Sequence, residues 1–225
     1  MKNLHEYFLN NSGRVIHKWL HYLDIYERHF QKYAGKKALI FEIGVYKGGS
    51  IQMWKDFFGD GATIVGIDID PACSQWAEPE RGIYVEIGDQ SDAAFLDSVL
   101  EKHGRPDVVI DDGSHVMSHL RATFGHLYPR MKDEGTYLAE DLHCCYWADY
   151  EGGLKAPGSF MELVKEKLDE INAVHVRGAL PYEFARQTDS ITAYDSVVVF
   201  EKRPQGRRMH LQTSGMGILP DYIDL

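Results

Sequence analysis

The hydrophobic positions of this chain first follow a helical period and then change to short apolar runs. Over residues 14–34 the period predicts an amphipathic helix, formed by Val15, Ile16, Trp19, Leu20, Leu23, Tyr26 and Phe30. We expect this helix to cover a sheet or to roof a substrate pocket. It makes up most of a predicted N-terminal helical extension, residues 1–36.

Short apolar runs alternate with amphipathic segments in the next part of the chain. Strands are predicted at 38–42, 63–68, 83–87, 107–111 and 135–140, and helices at 50–58, near 74, at 92–102 and at 117–131. Strands that alternate with helices are typical of a parallel sheet with helices on both faces. The pattern therefore predicts an α/β, Rossmann-like domain, which we place at residues 37–203.

The pattern changes after Trp147. A loop rich in glycine and proline, residues 147–158, is a candidate substrate lid, and a helix is predicted at 159–172. Two further strands, 190–193 and 196–202, have a connection too short for a parallel crossover, so the last strand should be antiparallel. Residues 204–225 show no clear period, and we expect a flexible tail or an oligomer arm.

Composition and charge narrow the classes of partner. With 225 residues and 44% hydrophobic content, the chain can bury one substantial core. Its formal net charge of -10 argues against a general affinity for nucleic acid or anionic membranes and favours small molecules or neutral sugars. Three cysteines, two of them adjacent at Cys144-Cys145, suggest no disulfide framework. Because no signal peptide and no long apolar run is evident, the sequence predicts a cytoplasmic protein without a membrane span.

A glycine-containing segment joins the first predicted strand to the next helix. Its pattern, Glu42-x-Gly44-x-x-x-Gly48-x-Ser50, differs from the dinucleotide pattern, because an acid precedes the first glycine. A pyrophosphate would be repelled by this carboxylate, whereas the sulfonium and amino groups of S-adenosylmethionine would not. The alternative is a tight turn that binds nothing.

Polar residues also follow the second and third strands. Asp68 can accept hydrogen bonds from two ribose hydroxyls, although it can equally cap a helix, and Asp70 competes for the ribose role. Asp89, Gln90 and Ser91 offer groups suited to an adenine ring. For these three the alternative is that Asp89 or Ser91 caps the helix at 92.

Carboxylates follow two strands that are predicted to be adjacent, as Asp111-Asp112 and Glu140-Asp141. The carboxyl ends of parallel strands share one edge of the sheet, so these side chains can converge. Oxygen ligands of this kind favour Mg²⁺. Asp112 is the preferred ligand, because Asp111 points to the other face of the pleat and can support the cofactor or the loop instead.

Histidines near the acids allow two interpretations. His115 can take a proton from a hydroxyl that a metal ion has made more acidic, or it can simply cap or pack the helix start. Zinc is the rival metal, held by His115 and His119 at helical spacing together with His143 or a carboxylate.

Five sequence blocks together resemble a known family. They are Glu42-Ile-Gly-Val-Tyr-Lys-Gly-Gly-Ser50, Gly66-Ile-Asp-Ile-Asp-Pro71, Gly88-Asp-Gln-Ser-Asp92, Asp111-Asp-Gly-Ser-His115 and Glu140-Asp-Leu-His143. In this order and spacing they resemble the Mg²⁺- and S-adenosylmethionine-dependent sugar O-methyltransferases of macrolide biosynthesis, of the mycinamicin and macrocin type. The resemblance runs from about residue 38 to 202.

The resemblance implies a class I methyltransferase fold with a seven-stranded, mostly parallel sheet. It also implies Mg²⁺ bound by Asp112, Glu140 and Asp141, with His115 as general base. The implied cofactor residues are Glu42, Gly44, Tyr46, Gly48, Ser50, Asp68, Asp89, Gln90, Ser91 and Asp111. The implied acceptor is a hydroxyl of a deoxysugar or glycoside, placed by chelation of two neighbouring hydroxyls, and a homo-oligomer is compatible with the resemblance. The large N-terminal auxiliary domain of some macrolide members is not found in this sequence.

Other functions stay open on the sequence alone. The acceptor can instead be an oligosaccharide or polysaccharide precursor, or a catechol-like phenol, although catechol methyltransferases normally use a lysine base. A nicotinamide dehydrogenase or a non-catalytic binding protein are the alternatives from other classes. Tyr146, Trp147 and Tyr150 can stack on an apolar sugar face or anchor the lid in the core.

Overall fold

A computed structural model of the chain describes residues 3–177, 183–206, 208, 210–214 and 217–221. Nine strands are present in these ranges: β1 Leu39–Ile43, β2 Thr63–Asp68, β3 Ile83–Ile87, β4 Val108–Asp111, β5 Thr136–Ala139, β6 Thr188–Tyr194, β7 Val197–Lys202, β8 His210–Ser214 and β9 Gly217–Asp221. The predicted strands agree with the observed ones to within two residues at each end.

Seven α-helices are found in the same ranges: α1 Leu4–Leu9, α2 Leu20–Phe30, α3 Gly49–Phe58, α4 Ala93–His103, α5 Met117–Arg130, α6 Phe160–Ile171 and α7 Glu183–Gln187. The helix predicted near residue 74 is a 3-10 helix, Pro71–Trp76. Within the described residues, none of these helices has both the length and the apolar character that a bilayer crossing requires.

The first seven strands form one sheet in the order β3-β2-β1-β4-β5-β7-β6. Strands β1 to β5 pair in parallel, whereas β7 is antiparallel to both of its neighbours. This is the class I methyltransferase arrangement, and it confirms the antiparallel last strand. From β1 the chain moves outwards to β2 and β3, and then returns to the other side of β1 to form β4. The carboxyl ends of β1 and β4 therefore flank the crevice where ligands bind in folds of this kind.

Both faces of the sheet are covered by apolar side chains. Leu39, Phe41 and Ile43 of β1 point to a cluster shared with α4, α5 and α6. Ile40 points to the opposite cluster, shared with α2 and α3, because successive side chains of a strand alternate between faces. Glu42 lies on this second face and is fully buried.

The predicted helix over 14–34 is only partly correct. The observed α2 covers 20–30, and a separate short helix α1 precedes it. Residues 11–19, which we call the N-terminal strap, are not helical. Val15 and Trp19 follow the helical period but are about half exposed. Their spacing therefore does not reflect a buried helix face.

Specific contacts hold the strap against the domain in place of helical hydrogen bonds. Arg14 bonds to the carbonyl of Trp76 at 3.0 Å and to the carboxylate of Glu78. The carbonyl of Val15 lies so close to Gly49 that any side chain there would collide with it. The backbone therefore follows the surface of the domain, which the sequence pattern did not reveal.

The C-terminal region has more regular structure than we expected. The turn between β6 and β7 is Asp195–Ser196, with Ser196 at a φ of 62°. Beyond β7, where a flexible tail was predicted, β8 and β9 pair as an antiparallel hairpin. The sequence period did not reveal the pairing of these ten residues, and the flexible tail and the oligomer arm both stay predictions.

Candidate active site

A cavity of about 400 Å³ opens at the switch point of the sheet, and we call it the main cavity. It lies between the loops that follow β1, β2 and β4, and the strap closes one side. Its lining includes the sequence-predicted Gly44, Tyr46, Ser50, Asp68, Asp112, His115 and Asp141. The structure therefore brings together residues that lie almost 100 positions apart in the chain.

Two glycines let the backbone after β1 approach its neighbours closely. Gly44 has a φ of 93°, and a side chain there would strike the carbonyl of Asp112. Gly48 has a φ of 71° and lies against the ring of Trp76. Because only glycine tolerates both the conformation and the lack of space, the loop has a structural need for these residues as well as any role in binding.

Asp68 holds this glycine loop in place. Its Oδ2 accepts hydrogen bonds from the backbone N–H groups of Val45 at 2.8 Å and Tyr46 at 3.1 Å, and its Oδ1 accepts one from Asp70 at 2.9 Å. Although burial opposes ionisation, these bonds keep the pKa of Asp68 below its usual range. Asp70, the competing ribose ligand, instead caps a 3-10 helix through the N–H of Ala72.

Glu42 lies beneath the cavity and is not part of its lining. It accepts hydrogen bonds from Ser50 Oγ at 2.9 Å and Trp54 Nε1 at 2.8 Å. Burial raises its pKa to about 7, against the opposing charge of Lys18. The structure places Glu42 as a buried support of the loop, and direct contact with a cofactor stays a prediction.

A second cavity of about 180 Å³ adjoins the main cavity and shares Gly44 and Asp68 with it. We call it the side cavity. The apolar side chains of Ile43, Ile67 and Ile69 form part of its wall, together with Asp89 and Gln90. A flat apolar ring with polar edges suits such a wall. The two cavities together form a cleft around Asp68.

Gln90 is fixed by hydrogen bonds on both ends of its amide. Its Nε2 donates to Asp111 Oδ1 at 3.1 Å and Thr123 Oγ1 at 3.0 Å, and its Oε1 accepts from the N–H of Ser114 at 2.7 Å. Asp111 is fully buried and also accepts from Tyr137 at 2.6 Å. Burial raises the pKa of Asp111 to about 7, despite these bonds. Asp111 therefore supports Gln90 and does not line either cavity.

The residues next to Gln90 do not cap helix α4 in the way that our alternative interpretation predicted. Asp89 accepts bonds from the N–H and the hydroxyl of Ser91, both at 2.8 Å. The N-cap of α4 is Asp92, which accepts from Ala94 and Phe95. Neither Asp89 nor Ser91 caps the helix, so that alternative is wrong.

The free polar atoms of the main cavity converge at one point. One ligand atom each from Asp112, His115 and Asp141 lies within 4.8 Å of the others. His115 Nε2 is 3.9 Å from Asp112 Oδ1 and 3.8 Å from Asp141 Oδ2. His115 and Asp141 both have positive φ values, 58° and 55°, and such strained backbone is concentrated at functional sites.

Glu140, the third predicted metal ligand, is not in this group of free atoms. Its Oε1 accepts from Lys18 Nζ at 2.7 Å, and its Oε2 accepts from Tyr26 at 2.6 Å. Burial, together with the charge of Asp112, raises the pKa of Glu140 to about 8. Glu140 is buried next to the acids that line the main cavity, and it does not line that cavity itself.

Lys18 of the strap is a site residue that the sequence analysis missed. Its ammonium contacts Asp112 Oδ2 as well as Glu140, lies 3.9 Å from Glu42, and its side chain is only 2% exposed. Burial lowers the pKa of a lysine, but the three carboxylates outweigh burial and raise the pKa of Lys18 above its ordinary value. Burial raises the pKa of Asp112 to about 6, against the opposing charge of Lys18.

His115 is placed to accept a proton. Burial lowers its pKa from the ordinary value, although Asp141 and Glu140 act in the opposite direction. The imidazole is therefore neutral at neutral pH, the state that a general base requires. Its Nδ1 is buried and, within the described part of the chain, has no hydrogen-bond partner.

The histidine set of the zinc alternative does not assemble in the described residues. His119 Nδ1 bonds to Ser114 Oγ at 2.9 Å and borders the side cavity. His143 Nδ1 bonds to Ser196 Oγ at 2.6 Å. His143 Nδ1 also lies 4.0 Å from Asp141 Oδ1, but among the described residues only His115 joins Asp112 and Asp141 in one group of ligand atoms. The other ligand atoms of that group are oxygens, which favour a hard cation over zinc.

A third cavity, of about 260 Å³, lies beside Asp141, and we call it the aromatic cavity. Its lining includes His17, Trp19, Tyr22 and His143. Trp19 meets His143 edge-on at 6.0 Å between ring centroids, and Trp147 meets His143 at 4.8 Å. Trp19, Tyr146 and Trp147 are each at least half exposed, so the alternative of anchoring the lid in the core is wrong for Tyr146 and Trp147. Tyr150 is partly buried and packs against the core, as that alternative expects.

Comparison with known proteins shows which proteins this chain is similar to. Residues 41–142 match a methyltransferase domain family. The mycinamicin VI 2''-O-methyltransferase of Micromonospora griseorubida is 40% identical over 157 residues, which are 65% of this chain and 38% of that protein. The demethylmacrocin O-methyltransferase of Streptomyces fradiae is 34% identical over 191 residues, 79% of this chain and 47% of that protein. The chain is a homologue of these O-methyltransferases.

A solved structure supports this homology. The MycE methyltransferase, in complex with Mg, SAH and mycinamycin VI, superposes with a TM-score of 0.76 at 34% identity. The match covers 84% of this chain and 50% of that one. The fold is therefore that of a class I methyltransferase. The chain spans half, or somewhat less, of the length of the curated and solved relatives it matches.

Proposed function

We propose that this methyltransferase transfers a methyl group from S-adenosylmethionine to a hydroxyl of a sugar or glycoside, with Mg²⁺ bound at the acid cluster. The observation that carries the proposal is the convergence of Asp112, His115 and Asp141 on the wall of the cleft that also contains Asp68. A general base and a cation site formed by carboxylates therefore face the part of the same cavity in which the cofactor would bind. The homologues, which are named as O-methyltransferases of mycinamicin VI and demethylmacrocin, and MycE, which was solved with Mg, SAH and mycinamycin VI, support this interpretation.

The cleft suits S-adenosylmethionine in shape and charge. The side cavity offers an apolar wall and the amide of Gln90 for adenine, and Asp68 lies at the junction where a ribose would bind. In the main cavity, the glycine loop leaves room for the amino-acid end, and the neighbouring carboxylates favour the positive sulfonium. The methyl group would then face the acid cluster.

The acid cluster fits a divalent cation. In the part of the chain that the structure describes, Asp112 Oδ1 and Asp141 Oδ2 are free to bind it. Their hard oxygen atoms suit Mg²⁺, which retains open positions for water or two acceptor oxygens. Bound there, Mg²⁺ would orient the acceptor and make its hydroxyl more acidic. His115 Nε2 would take that proton, since burial lowers the pKa of His115 and so favours the neutral imidazole that can accept one. Tyr22 holds Asp141 in place through a bond of 2.8 Å to Oδ1.

We infer that the acceptor binds through the aromatic cavity. It shares His17, Lys18 and Asp141 with the main cavity, so a ring bound there can present a hydroxyl to His115. Aromatic side chains such as Trp19 pack well against the apolar face of a sugar. A phenol would also fit an aromatic wall. The panel of acceptors described below distinguishes a phenol from a sugar.

Titration calorimetry with S-adenosylhomocysteine and S-adenosylmethionine, each with and without Mg²⁺, tests the cofactor assignment. Micromolar binding of both is expected, with no binding of NAD⁺ as the control ligand. Binding of NAD⁺ instead would identify a dehydrogenase and contradict the proposal.

Transfer of a labelled methyl group to a panel of glycosides, free sugars, oligosaccharides and catechols then tests the reaction. Label should enter sugar hydroxyls only, and a chelator should stop the transfer until Mg²⁺ is restored. Activity that survives thorough chelation would reject the metal assignment. Labelling of catechols alone would reject the acceptor class.

A further inference from the structure

Two hydroxyl side chains connect Asp141 to His143 through hydrogen bonds. Tyr22 donates to Asp141 Oδ1 at 2.8 Å, and Ser196 is hydrogen-bonded to Tyr22 in turn. Ser196 Oγ lies 2.6 Å from His143 Nδ1 and accepts from the backbone N–H of His143 at 3.0 Å. The turn between β6 and β7 therefore reaches the aromatic cavity through the side chain of Ser196.

The direction of these hydrogen bonds follows from the carboxylate at one end. An ionised carboxylate can only accept, so Tyr22 gives its hydroxyl proton to Asp141 and accepts from Ser196. Because the hydroxyl proton of Ser196 goes to Tyr22, its Oγ accepts from the Nδ1–H group of His143. The neutral imidazole then carries its proton on Nδ1, and Nε2 is left as a hydrogen-bond acceptor.

The imidazole of His143 is part of the wall of the aromatic cavity, and its side chain is 30% exposed. The hydrogen bond to Ser196 fixes the ring at Nδ1, and the indole of Trp147 meets it edge-on at 4.8 Å between centroids. The ring also lies close to the reacting groups, because Nδ1 is 4.0 Å from Asp141 Oδ1 while Asp141 Oδ2 faces His115. An acceptor bound in the aromatic cavity can therefore reach both histidines.

We propose that His143 binds a second hydroxyl of the methyl acceptor, next to the hydroxyl that is methylated, by accepting its hydrogen bond at Nε2. The inference rests on the proposed function, because it takes His115 and Asp141 to surround the reacting hydroxyl. A site built to bond a hydroxyl discriminates against an analogue that lacks it, since the polar group of the site is then left unpaired. Ser196 is a positioning residue, because it acts on the acceptor only through His143.

The tautomer of His143 tests the hydrogen-bond chain without a methyl acceptor. ¹⁵N NMR of the 225-residue chain with labelled histidine, at alkaline pH, distinguishes protonated from unprotonated ring nitrogens, and His143→Gln assigns the signals. The wild type should carry its proton on Nδ1. Ser196→Gly removes the hydroxyl without straining a backbone whose φ is 62°, and it should move part of the population to the other tautomer.

A wild type with the proton of His143 on Nε2 overturns the proposal. A Ser196→Gly variant in which the proton stays entirely on Nδ1 overturns the positioning role of Ser196.

Selectivity between related acceptors tests the binding role. The probes are the methyl glycoside that is labelled best in the acceptor panel and analogues in which one hydroxyl next to the methylated one is replaced by hydrogen. For one analogue, His143→Phe should reduce the preference for the parent glycoside, measured as a ratio of kcat/KM values, by about 2–10-fold. His143→Gln, whose amide oxygen can accept the same bond, should keep more of the preference. His126→Phe, at a histidine bonded to Asp97 outside the cleft, is the control and should not change it.

An unchanged preference in His143→Phe for every analogue overturns the proposal. If this variant does not fold by circular dichroism, Ser196→Gly should lower the same preference, and an unchanged preference there overturns the proposal as well. Failure to label any sugar would reject the proposed function and this inference with it. Sugar methylation with the same preference in wild type and His143→Phe would reject this inference alone.

Discussion

The two ends of the cleft are built in different ways. At the cofactor end, Asp68 holds the loop of Val45 and Tyr46 through backbone N–H groups. At the acid end, the carboxylates are held by side chains from far away in the chain, since Lys18 reaches Glu140 across 122 positions and Tyr22 reaches Asp141 across 119. The first arrangement depends on backbone conformation, and the second on long-range packing.

Because the two ends of the cleft are built differently, we expect them to have different roles. Backbone donors and glycines give a rigid, preformed site for a ligand that is bound before and after the reaction. Buried carboxylates with a neutral histidine provide charge and proton acceptance at the reacting hydroxyl. Substitutions at the acid end should therefore change turnover, whereas those at the cofactor end should change affinity for the cofactor.

The largest expected effect is that of His115→Ala. Loss of a general base lowers kcat by about 10²–10⁴-fold, while the dissociation constant for S-adenosylhomocysteine should stay unchanged. Methyl transfer to the acceptor found in the panel and calorimetry measure the two quantities, and added imidazole should restore part of the rate. His126→Ala, at a histidine bonded to Asp97 outside the cleft, is the control. Near-normal turnover in the His115 variant would mean that the acid end lacks a base.

Asp141→Asn should have the next largest effect. The change removes one charge from the carboxylates of Asp112 and Asp141, so Mg²⁺ affinity should fall and kcat should drop by about 10²–10³-fold at fixed Mg²⁺. Part of the loss should be recovered at high Mg²⁺, which a titration of rate against the metal would show. Asp149→Asn, at an exposed acid of the next 3-10 helix, should leave the rate unchanged. An unaltered Mg²⁺ dependence in Asp141→Asn would place the cation elsewhere.

At the cofactor end, Asp68→Asn should weaken S-adenosylhomocysteine binding by about 10–100-fold, because hydrogen bonds to a charged group contribute about 1.5–3 kcal/mol. The ion stoichiometry should not change. Asp70→Asn is the comparison variant, since Asp70 lines the main cavity but its side chain caps a short 3-10 helix and does not hold the glycine loop, so its effect on binding should be smaller. If Asp70→Asn were the more damaging variant in calorimetry, the ribose role would belong to Asp70.

The same difference explains which parts of the structure could be predicted from the sequence. The strands, the antiparallel β7 and the convergence of Asp112, His115 and Asp141 follow from local periods and from the shared edge of a parallel sheet. The structure could not be predicted where it depends on distant partners. Lys18 has no motif around it, and only its position in a strap that is not helical brings its ammonium to the acids.

Burial places two other predicted site residues where the sequence could not. Glu42 and Asp111 belong to sequence blocks that predict cofactor contact, yet both are fully buried behind the loops they support. A sequence block shows that a residue type is needed at a position. It does not show whether the side chain faces the cavity or the core, because the pleat and the neighbouring helix decide this.

The smallest expected effect tests whether the aromatic cavity extends the acid end towards the acceptor. Trp19→Ala should raise the KM for the acceptor by about 2–10-fold, since an aromatic contact contributes about 0.5–1.5 kcal/mol, and should leave cofactor affinity unchanged. Tyr146→Ala is the matched variant, because Tyr146 is also half exposed but does not line the cavity. Steady-state kinetics would compare the two. A larger effect of Tyr146→Ala would move the acceptor site away from the strap, and the strap would then serve the acid cluster alone, through Lys18.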